Sequence, residues 1–192
     1  MDPAPGGSST GVVDAPRSMA GAVPTPRGRL LAAATLLGIG LGGLFDGIVL
    51  HQILQWHHMV SARTPPDTLE ALEWNTLGDG LFHAAAWVLT VAGVFLLATA
   101  GGARTAPGGG RTLLGGALVG WGLFNTLEGL IDHHLLSLHH VRPGPDELLW
   151  DLAFLAWGAG MLVVGGLLVR SAPARNRRSL PGSGSAVRGD AR

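Results

Sequence analysis

Four apolar stretches, each close to or above twenty residues, decide what this 192-residue chain can fold into. They predict helices at about 30–56, 78–100, 112–138 and 147–170. A helix rising about 1.5 Å per residue needs roughly 20 residues to cross about 30 Å of hydrocarbon. Inside lipid only helices and closed barrels satisfy every backbone polar group, and these runs lack the alternation of a barrel strand. Composition agrees. Charged residues make up 14% of the chain against roughly a quarter in an average soluble domain, and 47% is hydrophobic.

The remaining composition removes whole classes of chemistry. All 13 basic residues are Arg and they balance 13 acids, so no basic field points to nucleic acid. The absence of Cys excludes disulfides, thiolate catalysis, Cys-bound zinc and Cys-held iron–sulfur clusters. Residues 1–28 and 171–192 are rich in small, polar and Pro or Arg residues. They are expected to be disordered cytoplasmic tails around a transmembrane domain at 29–170. The N-terminal stretch lacks the apolar core of a signal peptide, so the first helix is expected to serve as the insertion signal. Eleven Arg lie in the tails, at the helix ends beside them (Arg29, Arg170) and in the loop between the second and third helices, against Arg63 and Arg142 in the other loops. The positive-inside rule then puts both termini in the cytoplasm. Trp56, Trp74 and Trp150 fall where an outer aromatic belt would lie. Trp87, Trp121 and Trp157 read as packing or belt residues, and Asp67, Glu70 and Glu73 as a solvated helix face.

The first and third helices align without gaps at an offset of 82: Asp46, His51, His57 and His58 lie over Glu128, His133, His139 and His140. The second and fourth align at an offset of 72, pairing Asp79 with Asp151 and His83 with Leu155. The expected fold is therefore an all-α transmembrane four-helix bundle. It is built from two parallel two-helix repeats, with a pseudo-two-fold axis along the membrane normal. Spacings such as Gly38/Gly42 and Gly116/Gly120 suit close helix packing.

At 100° per residue, Asp46 and His57 fall within about 20° of each other, as do His51 and His58. The third helix repeats the face with Glu128, Asp132, His133, His139 and His140, while His134 points elsewhere. Asn75, Asp79 and His83 form a stripe on the second helix, and Glu147 and Asp151 share a spacing on the fourth. An ionisable group deep in a span costs about 2.5–3.5 kcal/mol on insertion scales. Carboxylates and imidazoles converging from facing helices are how bundle cores bind metals. The reading is a transition-metal site in the outer half, with copper, iron, zinc or manganese suited to such ligands.

His51, His83 and His133 rank first as ligands, then Asp79, then Asp46, Glu128 and Asp132 as ligands or supports. His57, His58, His139 and His140 form an outer layer that equally suits helix ends in water. Three alternatives stand beside a metal site. His51 and His133 could hold a non-covalent haem, the polar groups could relay protons or ions, or the protein could deliver metal to a respiratory membrane enzyme. Expected partners are the lipid bilayer and either a membrane enzyme or a second copy of the chain, without nucleic acid. Enzymatic turnover is not legible.

The strings Gly43-Leu44-Phe45-Asp46-Gly47-Ile48-Val49-Leu50-His51-Gln52-Ile53-Leu54-Gln55-Trp56-His57-His58, Asn75-Thr76-Leu77-Gly78-Asp79-Gly80-Leu81-Phe82-His83 and Glu128-Gly129-Leu130-Ile131-Asp132-His133-His134 resemble the bacterial membrane protein family catalogued as domain of unknown function (DUF 2243). The resemblance covers about residues 30–170. It implies a four-helix protein of the bacterial cytoplasmic membrane and carries no activity, substrate or cofactor.

Overall fold

The structure, a computed structural model, describes residues 25–173; the expected disordered tails lie almost entirely outside them. The described residues form helices and connecting turns without a strand. Helix α1 spans Pro26–Phe45 and continues as a π-helical segment, Asp46–Ile53. Helix α2 spans Leu69–Thr99, and α3 spans Gly109–Glu128 before a second π-helical segment, Gly129–Leu135. Helix α4 spans Glu147–Ser171. All four helical stretches are long and apolar enough to cross a membrane.

Three helix starts come earlier than hydropathy alone places them, α3 by three residues, and local chemistry explains the other two. The Thr25 hydroxyl accepts the Gly28 N–H and Pro26 occupies the first turn, so α1 begins at Pro26 instead of near 30. The Thr68 hydroxyl accepts the Ala71 N–H, so α2 begins at Leu69 instead of near 78. That first stretch of α2 carries Glu70 and Glu73, both exposed.

The first and third helices also end sooner than 56 and 138. Gln55 (φ 50°) and Ser137 (φ 47°) adopt left-handed backbone, which turns the chain out of the helix. His57, His58, His139 and His140 therefore enter from loops, and the helical projection that aligned them with Asp46 does not apply to them.

Helices α1 and α3 pack against each other at the centre, with α2 against α1 and α4 against α3. Small residues allow the central approach. A Cβ added at Gly38 would run into the Ala117 carbonyl, and one at Gly120 into the Thr35 carbonyl. Helices α2 and α4 turn large apolar side chains outward, including Trp87, Phe95, Leu152 and Trp157. A surface of this kind suits lipid. Across the chain the loops interlock: the Ala62 N–H donates to the Leu138 carbonyl, and Arg63 reaches the Leu136 and Ser137 carbonyls left open at the end of the third helix.

Overpacking this contact is expected to be costly. Gly38→Val and Gly120→Val should each lower stability in detergent by about 1–3 kcal/mol or more, whereas Gly160→Ala, which meets open space, should leave the melting temperature nearly unchanged. Wild-type melting of Gly120→Val would refute the close α1–α3 approach.

Candidate metal centre

The π-helical segments explain how a carboxylate meets an imidazole five residues away. On an α-helix such a pair lies about 140° apart. A π turn closes i→i+5, so side chains at that spacing come nearly one above the other. Asp46 Oδ2 thus stands 3.1 Å from His51 Nε2, and Glu128 Oε1 stands 3.0 Å from His133 Nε2. All four residues are buried.

A carboxylate lies behind each of these histidines, hydrogen-bonded to His51 only. His51 Nδ1 donates to Asp79 Oδ1 at 2.8 Å, and His133 Nδ1 faces Asp151 Oδ1 at 3.4 Å. Asp79 also accepts from His58 Nδ1 (2.7 Å), the Met59 N–H (2.8 Å) and Gln52 Nε2 (3.1 Å). Asp151 likewise accepts from His140 Nδ1 (2.7 Å) and the Val141 N–H (2.9 Å). Asp79 thus accepts four hydrogen bonds, from His51 and Gln52 of the π-helical segment and from His58 and Met59 of the loop after it, and Asp151 accepts two from its matching loop. His58 and His140 are half-buried and serve the same carboxylates.

The loop histidines His57 and His139 fold inward and stack, with ring centroids 4.6 Å apart and planes 6° from parallel. His57 Nδ1 donates to the Val141 carbonyl at 2.7 Å, and His139 Nδ1 to the Met59 carbonyl at 3.1 Å. A carbonyl only accepts, so in both rings the proton sits on Nδ1 and a neutral ring presents a bare Nε2 lone pair. His139 Nε2 points at Glu128 Oε1 from 2.8 Å. His51 lies against His57 at 4.4 Å between centroids, and His133 against His139 at 4.8 Å.

These contacts define one buried cluster with two sets of convergent donor atoms. His51, His57 and His139 offer atoms within 4.8 Å of one another, and so do Glu128, His133 and His139. The Nε2 atoms of His51, His57 and His133, Asp46 Oδ2 and Glu128 Oε2 all lack a hydrogen-bond partner. Among the described residues, every ion-pair partner of Asp46, Asp79, Glu128 and Asp151 is a histidine.

Charge preference differs between the stacked pair. Burial, then the neighbouring His139 and His51 rings, pushes the His57 imidazole down to about 2. Burial also opposes charge on His139, but its hydrogen bond to Glu128 and that carboxylate's charge outweigh it and raise the ring above its ordinary value.

Other residues singled out in the sequence fall elsewhere. His83 packs against Gly47 with a buried, unpartnered Nε2, outside both donor sets. Its counterpart Leu155 covers Gly129 in the same way. Asp132 is half-buried beside Glu128 on the wall of an outer cleft, and His134 is exposed. Asn75 is buried, donating to the Thr64 and Ala71 carbonyls. Trp56 and Trp150 pack on each other, ring centroids 5.3 Å apart, and the Arg142 guanidinium lies over both, 5.4 and 5.6 Å from the centroids. Asp151 was absent from the ligand candidates, although its alignment with Asp79 is the signal that marks it.

The family described as "Predicted membrane protein (DUF2243)" matches residues 33–172. Neither the curated proteins nor the solved structures contain a match.

With the ring proton drawn to Val141, His57 in metal-free protein should stay neutral and Nδ1-protonated between about pH 5 and pH 8. Nitrogen NMR of histidine-labelled protein reads this directly. An imidazolium signal at His57 near about pH 6 would contradict the hydrogen-bond assignment.

Proposed function

The chain belongs to this family of membrane proteins, and on the geometry of its buried cluster we propose that it binds a transition metal through Asp46, His51, His57, Glu128, His133 and His139. The observation that carries the proposal is the orientation of the rings. Three imidazoles, those of His51, His57 and His139, commit Nδ1 to a carboxylate or carbonyl, His133 Nδ1 faces Asp151 without a hydrogen bond, and the four rings turn Nε2 toward carboxylate oxygens or one another. A neutral ring held in this way aims a lone pair at an anion, which is repulsive unless a cation lies between them.

Spacing supports a metal as that cation. Two donor atoms each about 2.1 Å from one ion stand about 3.0–3.4 Å apart at angles between about 90° and 110°. The Asp46–His51 and Glu128–His133 separations, 3.1 and 3.0 Å, lie at this edge length. Donation of the other ring nitrogen to a carboxylate or carbonyl is the usual support of a metal-bound histidine. In this reading Asp79 and Asp151 orient His51 and His133, while His58 and His140 anchor those carboxylates. His83 and Asp132 stand outside the ligand set. Imidazole and carboxylate without sulfur suit copper(II), iron, zinc or manganese.

The same reading takes the chain as two parallel two-helix repeats about a pseudo-two-fold axis along the membrane normal. Matched contacts support it. Asp46–His51, His51–Asp79 and His58–Asp79 recur as Glu128–His133, His133–Asp151 and His140–Asp151, at the offsets of 82 and 72. The Arg distribution supports cytoplasmic termini in a bacterial inner membrane, with the cluster toward the outer face. A haem held by His51 and His133 is disfavoured, because the stacked His57 and His139 rings lie between them.

Elemental analysis of detergent-purified protein should find a stoichiometric transition metal that is lost in His57→Ala/His139→Ala and retained in His134→Ala. Asp79→Asn should weaken metal affinity about 10–100-fold, as the loss of a supporting carboxylate does. A folded wild-type protein that takes up no iron, copper, zinc or manganese would leave a shared proton as the bridging cation and end the metal reading.

A further inference from the structure

The two matched halves differ where a cleft opens on the outer surface of the helices. The cleft encloses about 290 Å³ and is walled by Ile39, Met59, Phe82, Phe124 and Leu127, with Glu128 and Asp132 as its carboxyl groups. Glu128 reaches from this wall into the histidine cluster through Oε1, and its Oε2 is buried without a partner. The residue is 7% exposed. Leu127 and Ile131, at the rim, are exposed on the apolar helix surface.

At the matched positions of the other half the corresponding surface is covered. Trp121 stands where the cleft has Ile39, 82 residues earlier in the chain. Its ring lies 5.3 Å from that of Phe45, the counterpart of Leu127, and a Cβ at Gly42, the counterpart of Phe124, would sit 2.9 Å from Trp121 Cδ1. Leu50 occupies the position matched to Asp132. One half thus has a bulky ring and an aliphatic side chain where the other has an opening and an acid. Packing alone does not call for an acid at a lipid-facing rim, where an ionisable group is costly.

We propose that this cleft admits a ring-bearing, membrane-soluble alcohol of the phenol or quinol class from the bilayer and seats its hydroxyl against Asp132, beside the buried Glu128. This rests on the metal reading, for which it supplies the class of molecule that reaches the centre. Four observations select that chemistry. The mouth opens on apolar surface, so the ligand partitions into lipid. The volume is near the lower end of ligand pockets and suits one ring. Phe82 and Phe124, 5.9 Å apart, with Met59 beside them, offer the aromatic and thioether contacts that favour a flat ring. A hydroxyl both donates and accepts, so it satisfies a carboxyl group in either protonation state, which an ether or hydrocarbon does not.

The test uses the full-length protein in lipid nanodiscs with a short-tailed benzoquinol as probe and its dimethyl ether as control, binding being read by calorimetry and metal content by elemental analysis. The quinol should bind saturably and the ether at least 10-fold more weakly. Ile39→Trp, which installs the bulk found at Trp121, should abolish quinol binding, and Asp132→Leu should weaken it about 10-fold. Both variants should keep wild-type metal content, which reports an intact cluster. Trp121→Ile should leave the quinol site intact.

Equal binding of quinol and ether would overturn the proposal and mark the cleft as a seat for lipid chains. Undiminished quinol binding by folded Ile39→Trp would overturn it as well. Saturable quinol binding to a protein without metal would sustain the cleft and sink the metal reading, so the two fail separately.

Discussion

The contact of imidazole with carboxylate inside a low-dielectric pocket is the interaction around which this molecule is arranged. His57 and His139 donate their Nδ1–H groups to backbone carbonyls across the loops, and His51 donates its own to Asp79. The opposite nitrogens then face Asp46, Glu128 and each other with water excluded. Taking such groups out of water costs several kcal/mol per ion even after relaxation. A positive charge within the cluster, a second ring proton or the proposed metal, offsets that cost, and the surrounding fold is the frame that holds the groups together.

The frame depends on two irregularities. The π-helical segments bring Asp46 over His51 and Glu128 over His133, a juxtaposition that regular α-helix would deny. The left-handed residues Gln55 and Ser137 then end the helices and send His57 and His139 back toward the axis. Non-glycine residues in this conformation carry a local cost of order 1 kcal/mol or more and cluster at functional sites. The close approach of α1 and α3 through Gly38 and Gly120 sets the two segments side by side. Interlocked loop contacts, such as Ala62 to Leu138, tie each half's loop to the other.

Much of this was legible without coordinates. The four apolar runs required helices, and the deep placement of Asp46, His51, Glu128 and His133 marked the polar centre by its insertion cost. The ranking within the centre was less legible. Asp79 and His83 share a helical face, which made them look like a ligand pair. Asp79 is in fact filled by four donors and His83 packs on Gly47 outside the cluster. Conversely His57 and His139, read as an outer layer, lie at the middle. The projection assumed 100° per residue through a stretch that is first π-helical and then not helical.

Sequence alone determined the class of the protein, the number of its spans, the internal correspondence at offsets of 82 and 72, and the identity of the ionisable residues that lipid would not tolerate singly. These follow from length, hydropathy and residue type, which are local properties. Only the tertiary structure decided which nitrogen of each histidine faces inward, which carboxylates meet which rings, and where the cleft beside Glu128 opens. Those outcomes depend on hydrogen bonds between residues up to 84 positions apart and on two changes of helical pitch, and neither leaves a periodic trace in the chain.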